Sequence, residues 1–127
     1  MLNVADAADL YNVRQWGAGF FVVNEKGQVV VSPKGPAGPS LDLKCLVDEL
    51  TQRGLELPLL IRFPDILHAR IRQLNEAFER AFADNSYKGK YLGVYPIKVN
   101  QQRHVVEQIV RFGEPFRFGL EAGSKPE

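Results

Sequence analysis

Two side chains stand where chemistry could be done. Lys98 lies near the end of the apolar run Tyr91-Leu92-Gly93-Val94-Tyr95-Pro96-Ile97-Lys98-Val99, and Glu121 closes Pro115-Phe116-Arg117-Phe118-Gly119-Leu120-Glu121. The first run reads as a strand buried on both faces, the kind found in parallel sheets. That reading puts Lys98 on the face of Leu92, Val94 and Pro96, because side chains alternate along a strand. An ammonium on an inward face is costly unless it is paired, deprotonated or covalently used. Burial also favours the neutral, nucleophilic amine that makes Schiff bases. In α/β folds, ligands and catalytic groups collect at the C-terminal ends of strands. The competing reading ends the strand before Lys98 and lets the ammonium snorkel to solvent. Glu121, at the end of the next strand, either shares a pocket with Lys98 or is a solvated loop carboxylate.

Other motifs carry less. Gly119-Leu120-Glu121-Ala122-Gly123-Ser124-Lys125 is not a phosphate-binding P-loop, since three residues separate the glycines and Ser124 precedes Lys125. Gly17-Ala18-Gly19 precedes a strand and lacks the third glycine of a dinucleotide fingerprint. His68 and His104 read as surface imidazoles with no second ligand at metal spacing, so no metal site is assigned. Cys45 reads as a small hydrophobe beside a helix face. Trp16, Tyr91, Tyr95, Phe116 and Phe118 read as core, with Tyr95 the one aromatic placed to flank a pocket.

The elements that must position these residues follow from pattern. Phe20–Val23 and Gln28–Val31, joined by Asn24-Glu25-Lys26-Gly27, predict a β-hairpin. The Gly/Pro-dense segment 34–39 predicts a loop and a boundary dividing 1–39 from 40–127. Ser40 or Asp42 caps a helix through Arg53, with Gly54 as its stop. Leu57–Phe63 reads as a short buried strand ended by Pro64. From Asp65, Leu67, Ile71, Leu74, Phe78 and Phe82 line one face of a long helix. A helix over 102–112, stopped by Gly113, separates the two runs that carry Lys98 and Glu121. Strand, helix, strand, helix, strand is the pattern of βα units and a parallel sheet, hence an α/β fold.

Composition excludes other classes. With 127 residues, 45% hydrophobic and 24% charged, the chain can bury a core. Sixteen basic residues against 15 acidic ones give no electrostatic footprint for nucleic acid or an anionic membrane. A single cysteine rules out a disulfide scaffold and fits a reducing compartment. Met1 to Asp6 lacks the basic and apolar regions of a secretory signal, and no apolar stretch approaches the roughly 20 residues of a membrane span. The expected location is the cytoplasm.

Tyr95-Pro96-Ile97-Lys98-Val99-Asn100-Gln101 followed by Leu120-Glu121-Ala122-Gly123-Ser124-Lys125 closely resembles the biosynthetic arginine decarboxylases. These belong with ornithine and diaminopimelate decarboxylases and alanine racemase among the barrel-type pyridoxal-phosphate (PLP) enzymes. Trp16–Phe21, Asn24–Gly27 and Arg62–Leu67 resemble the same family's N-terminal region, so the likeness runs from about Tyr11 onward. It implies that Lys98 carries PLP as a Schiff base on the first strand of a (β/α)8 barrel. It also implies that Glu121 is the second-strand acid near the cofactor, and that Glu127 matches another second-strand acid of the wider family. Sister decarboxylases usually carry a shorter acid at the Glu121 position and Ala-Val-Lys-Ala-Asn in place of Pro-Ile-Lys-Val-Asn.

The implied activity is conversion of L-arginine to agmatine and CO2 in putrescine and spermidine biosynthesis. Alternatives are a sister decarboxylase or racemase, or a barrel that binds PLP without turnover. Magnesium dependence and a homo-oligomer with shared active sites are also implied. A (β/α)8 barrel takes about 250 residues. The expectation is therefore a fragment: the hairpin region 1–39, then the first helices and first two barrel strands in 40–127. The phosphate loop, the acid facing the pyridine nitrogen and the partner-site cysteine would lie downstream, and Cys45 matches none of them. Alone, the fragment is expected to be inactive.

Overall fold

The computed structural model describes residues 3–127. Met1 and Leu2, part of the stretch read above as lacking a signal, lie outside the described residues. The chain forms two compact units, the first extending to Ile66 and the second running Leu67–Glu127.

The first unit opens with α1 (Val4–Leu10) and α2 (Val13–Gly17), neither of which sequence patterning brought out. The available signal was the pair Asn3 and Asp6. Asn3 Oδ1 accepts from the Asp6 N–H at 2.9 Å and an Asp6 carboxylate oxygen accepts from the Asn3 N–H at 3.3 Å, forming a capping box. The predicted hairpin is present as β1 (Phe21–Val23) and β2 (Val29–Val31), antiparallel with Phe21 opposite Val31 and Val23 opposite Val29. In its turn Gly27 takes φ 76°, where a Cβ would be strained. Asn24 Oδ1 accepts from the N–H groups of Lys26 at 3.0 Å and Gln28 at 2.9 Å.

A third strand, β3 (Leu41–Asp42), pairs with β2 and sets Val30 opposite Asp42. The Gly/Pro segment 34–39 is thus a connection between two paired strands of the first unit. Val13, Phe20 and Val31 are buried under this sheet and its flanking helices.

Asp42 joins sheet to helix. It caps α3 (Leu43–Gln52), with Oδ1 accepting from the N–H groups of Lys44 at 2.9 Å and Cys45 at 3.1 Å. Its Oδ2 accepts from Asn24 Nδ2 at 3.2 Å, which ties the cap to the hairpin turn. Gly54, at φ 90°, ends the helix as the sequence predicts. Asp42→Ala is expected to cost about 1–2 kcal/mol, the worth of an N-cap carboxylate, and Asp42→Asn much less. Urea unfolding of this chain followed by Trp16 fluorescence reads both values, and equal midpoints for the two variants would contradict the capping role.

Three expectations are corrected in this unit. Leu57–Phe63 forms no strand. Pro58 has no N–H to give a ladder, no described strand pairs with the segment, and Leu57 and Leu60 are 65% and 75% exposed. Trp16 is 54% exposed instead of core. Its indole lies 5.6 Å from the Phe21 ring and its Nε1 donates to the Tyr11 carbonyl at 3.0 Å. Cys45 is an exposed free thiol and not a packed side chain.

Most of α4 (Pro64–Asp84) belongs to the second unit. Ala69, Ile71 and Asn75 are its buried positions, whereas Leu74 and Phe78, expected on the core face, are exposed. Phe78 instead stacks on Tyr91 with ring centroids 3.9 Å apart. Then follow β4 (Val94–Pro96), a 3-10 turn over Ile97–Val99, α5 (Arg103–Gly113), a second 3-10 turn over Glu114–Phe116, and β5 (Gly119–Glu121). β4 and β5 pair in parallel, with Val94 opposite Gly119, Tyr95 opposite Leu120 and Pro96 opposite Glu121.

The helix α5 closes this βαβ unit by burying Ile109. Gly93 and Gly113 make room for Phe118: a Cβ would fall 2.2 Å from its ring at the first and 2.7 Å from its own Cβ at the second. The double-sided burial predicted for the Lys98 strand is not found, since Leu92 and Val94 are exposed.

Candidate functional site

The parallel pairing brings the two candidate residues to one end of the small sheet. β4 stops at Pro96, and the chain tightens into the 3-10 turn Ile97–Val99, which carries Lys98. The geometry therefore follows the competing reading of the sequence: the strand ends first, and Lys98 is exposed. The desolvation argued from an inward-facing strand position is not supplied by the described residues. Lys98 forms no hydrogen bond or ion pair among them, and its electrostatic partner is Glu127.

Glu121 is the last residue of β5, in register with Pro96, two positions before Lys98 in the neighbouring element. It is half-buried, and its Oε1 lies 3.4 Å from where a Cβ on Gly123 would stand. The small residues Ala122-Gly123-Ser124 after β5 thus leave space beside this carboxylate.

Glu127 does not lie on the second strand. It folds back beyond the strand end, where its carboxylate accepts from the Gly123 N–H at 3.1 Å and from the Ser124 hydroxyl at 2.9 Å. Those hydrogen bonds, and secondarily the positive charge of Lys98, hold the Glu127 carboxyl below the ordinary glutamate range. Because the folded state lowers this value, the carboxylate stabilises the loop above the pKa of an unfolded glutamate. That contribution is lost as the pH falls through the lowered value. Protection of the Gly123 amide, followed by NMR, is expected to persist below the pH at which free glutamate protonates. Loss of protection at the ordinary glutamate pKa would contradict the assignment. Sequence reading matched Glu127 to an acid but did not foresee this turn, whose signal was the Gly-Ser pair three and four residues upstream.

Tyr95 flanks the same end, half-buried, with its hydroxyl donating to the Asn100 carbonyl at 3.3 Å. Asn100 Oδ1 in turn accepts from the Gln102 N–H at 3.0 Å, at the entrance of α5. His68 and His104 are both exposed, the former stacked on Phe112 at 4.7 Å between ring centroids. Among the described residues no three His, Cys, Asp or Glu side chains gather as a metal site, and no helix is long and apolar enough to cross a membrane.

No family model matches the chain. Curated relatives do: the biosynthetic arginine decarboxylase of Gloeobacter violaceus is 53% identical over 125 residues, covering 98% of this chain and 19% of the relative. That of Thermosynechococcus vestitus is 56% identical over 125 residues, covering 98% and 20%. The crystal structure of the biosynthetic arginine decarboxylase from Campylobacter jejuni superposes with a TM-score of 0.83 at 34% identity, over 92% of this chain and 19% of that one. The chain spans about a fifth of the length of the relatives it matches. In sequence and in fold it is, along nearly its whole length, a relative of one segment of the biosynthetic arginine decarboxylases.

Proposed function

We propose that this chain is the part of a PLP-dependent arginine decarboxylase that supplies the cofactor lysine, Lys98, and the supporting acid Glu121. The observation that carries the reading is the register of β4 and β5, which sets both residues at the C-terminal end of adjacent parallel strands, where α/β enzymes place their chemistry. The high identity to relatives of that name supports the substrate, L-arginine. The exposed Val94 and Leu120 on the two-stranded sheet, with Leu92 just before it, support its being the start of a larger barrel, since such faces bury apolar side chains when a barrel closes.

The residues present fit the aldehyde end of PLP, because Lys98 offers an exposed amine in no hydrogen bond or ion pair among the described residues. When bound, PLP supplies an electron sink for the pair left as the α-carboxylate of arginine departs as CO2. Lys98 Nζ would be the group that holds the cofactor. The Glu121 carboxylate places negative charge at the strand end where that cationic chemistry occurs. Glu127, pinned by Gly123 and Ser124, keeps a second negative charge near Lys98. No ligand set for magnesium is formed by the described residues, and no step is assigned to it. The exposed thiol of Cys45 fits a reducing compartment such as the cytoplasm.

The test is CO2 release by the full-length protein, supplied with PLP, from L-arginine and from L-ornithine. Release from arginine, with agmatine as product, is expected. Release from ornithine alone would assign the chain to a sister decarboxylase, and cofactor binding without release from either would assign it to a non-catalytic PLP barrel.

A further inference from the structure

A cavity lies at the other end of the same two strands from Lys98 and Glu121. It has a volume of about 340 Å³ and is lined by the segments that precede β4 and β5, together with α4. Because the strands are parallel, this is the N-terminal end of the sheet, roughly 10 Å of strand away from the end that leads to Lys98.

The rim carries Glu79, Lys90 and Arg117. None of the three side chains is in an ion pair or hydrogen bond among the described residues, although opposite charges share one small cavity. Asn75 forms part of the wall and is 4% exposed. Its Nδ2 donates to the Ile71 carbonyl at 2.8 Å, and its side-chain oxygen has no partner. No side-chain nitrogen or oxygen among the described residues is both fully enclosed and unpartnered, so that oxygen keeps some accessible surface, on a residue that lines the cavity. An accessible acceptor of this kind can take a hydrogen bond from water or from a ligand's N–H. Phe82 and Phe116 supply apolar wall.

We propose that this cavity is a binding site for a small zwitterion, an α-amino acid with an apolar side chain. Two cations and one anion around the site argue against a polyamine, which needs several acids. The anion argues against phosphate or a simple dicarboxylate. A zwitterion satisfies the whole set. The guanidinium of Arg117 takes the carboxylate in its planar fork, with Lys90 adding positive charge. Glu79 and the free Asn75 oxygen take the ammonium, and Phe82 and Phe116 receive the side chain. The volume is at the small end of the range for ligand pockets, which suits a single amino acid. Its position away from Lys98 makes it an effector site and not a second substrate position.

The experiment uses full-length protein without PLP and carrying Lys98→Ala, so that the cofactor end takes no part. Calorimetric titration with L-leucine is expected to give saturable binding, at a dissociation constant of about 1 mM or below. Isopentylamine, which lacks the carboxylate, and 4-methylpentanoate, which lacks the ammonium, should each bind at least about tenfold more weakly, and so should L-leucine to Glu79→Gln and to Arg117→Gln. Arg117→Lys keeps the charge and should keep part of the affinity. No saturable binding of L-leucine, equal binding of the single-charge analogues, or undiminished binding by both variants would each overturn the assignment. Because Lys98 is already removed, none of these results depends on the decarboxylase reading.

Discussion

Full-length protein carrying Lys98→Ala is expected to release CO2 from arginine at least about a thousandfold more slowly than the unsubstituted protein, which corresponds to roughly 4 kcal/mol in the barrier. It should also fail to retain PLP through gel filtration. The effect is large because Lys98 is the amine assigned to hold the cofactor, and it has no hydrogen bond or ion pair that would commit it elsewhere. Little cost in stability should accompany the change. The side chain is exposed on the 3-10 turn Ile97–Val99, and substitutions at such surface positions usually fall within about 0.5 kcal/mol. The paired measurement separates the chemistry from the fold: unfolding midpoint unchanged, cofactor and activity lost. Borohydride reduction of the unsubstituted protein with PLP should leave a pyridoxyl group on the peptide that contains Lys98. Retention of near-normal activity in Lys98→Ala, or labelling of another lysine, would remove Lys98 from the site.

What was legible in the sequence depended on whether a residue's role is settled by its neighbours in the chain. The hairpin was, because Gly27 and the Asn24 side chain define its turn locally. The cap and stop of α3 were, because Asp42 and Gly54 act on backbone groups within a few residues. The parallel order of β4 and β5 was legible because a helix of suitable length lies between them, and an αβ alternation has few other solutions.

Strand length was not legible. Tyr91–Val99 is mostly apolar, with Lys98 its one charged residue, yet only Val94–Pro96 pairs. An apolar run reports that a segment is to be covered, not that its covering partner belongs to the same stretch of chain. Leu57, Leu60, Leu92 and Val94 are exposed, in a chain that spans about a fifth of its relatives. The same blindness hid the cavity of Asn75, Glu79, Lys90 and Arg117, four residues on three separate segments that carry no motif. Lys98 was found through a burial argument that the geometry does not support, and Glu121 through its position at the end of the next strand. Their place at the strand ends rests on order and register, which the βα alternation already carried.

Glu121→Gln in the full-length protein is expected to lower kcat for arginine by about 10- to 100-fold, the range that follows from losing one charge-assisted hydrogen bond of about 1.5–3 kcal/mol. The amide has nearly the shape of the acid, so the half-buried position at the end of β5 stays filled and only the charge is removed. Retention of PLP should be much less affected than in Lys98→Ala, since the amine that anchors the cofactor is intact. Glu121→Asp keeps the charge but shortens its reach by one methylene. The carboxylate lies against Gly123, and the residues after β5 are small, so nothing nearby would carry a shortened acid forward. Partial recovery of kcat by Asp over Gln would show that charge matters more than reach. Activity of Asp equal to that of Gln would show that position decides, as expected for a group that must touch the reacting centre. If kcat and KM of Glu121→Gln both stayed within twofold of the unsubstituted protein, Glu121 would be a solvated strand-end carboxylate, and its register with Pro96 would have no part in the chemistry.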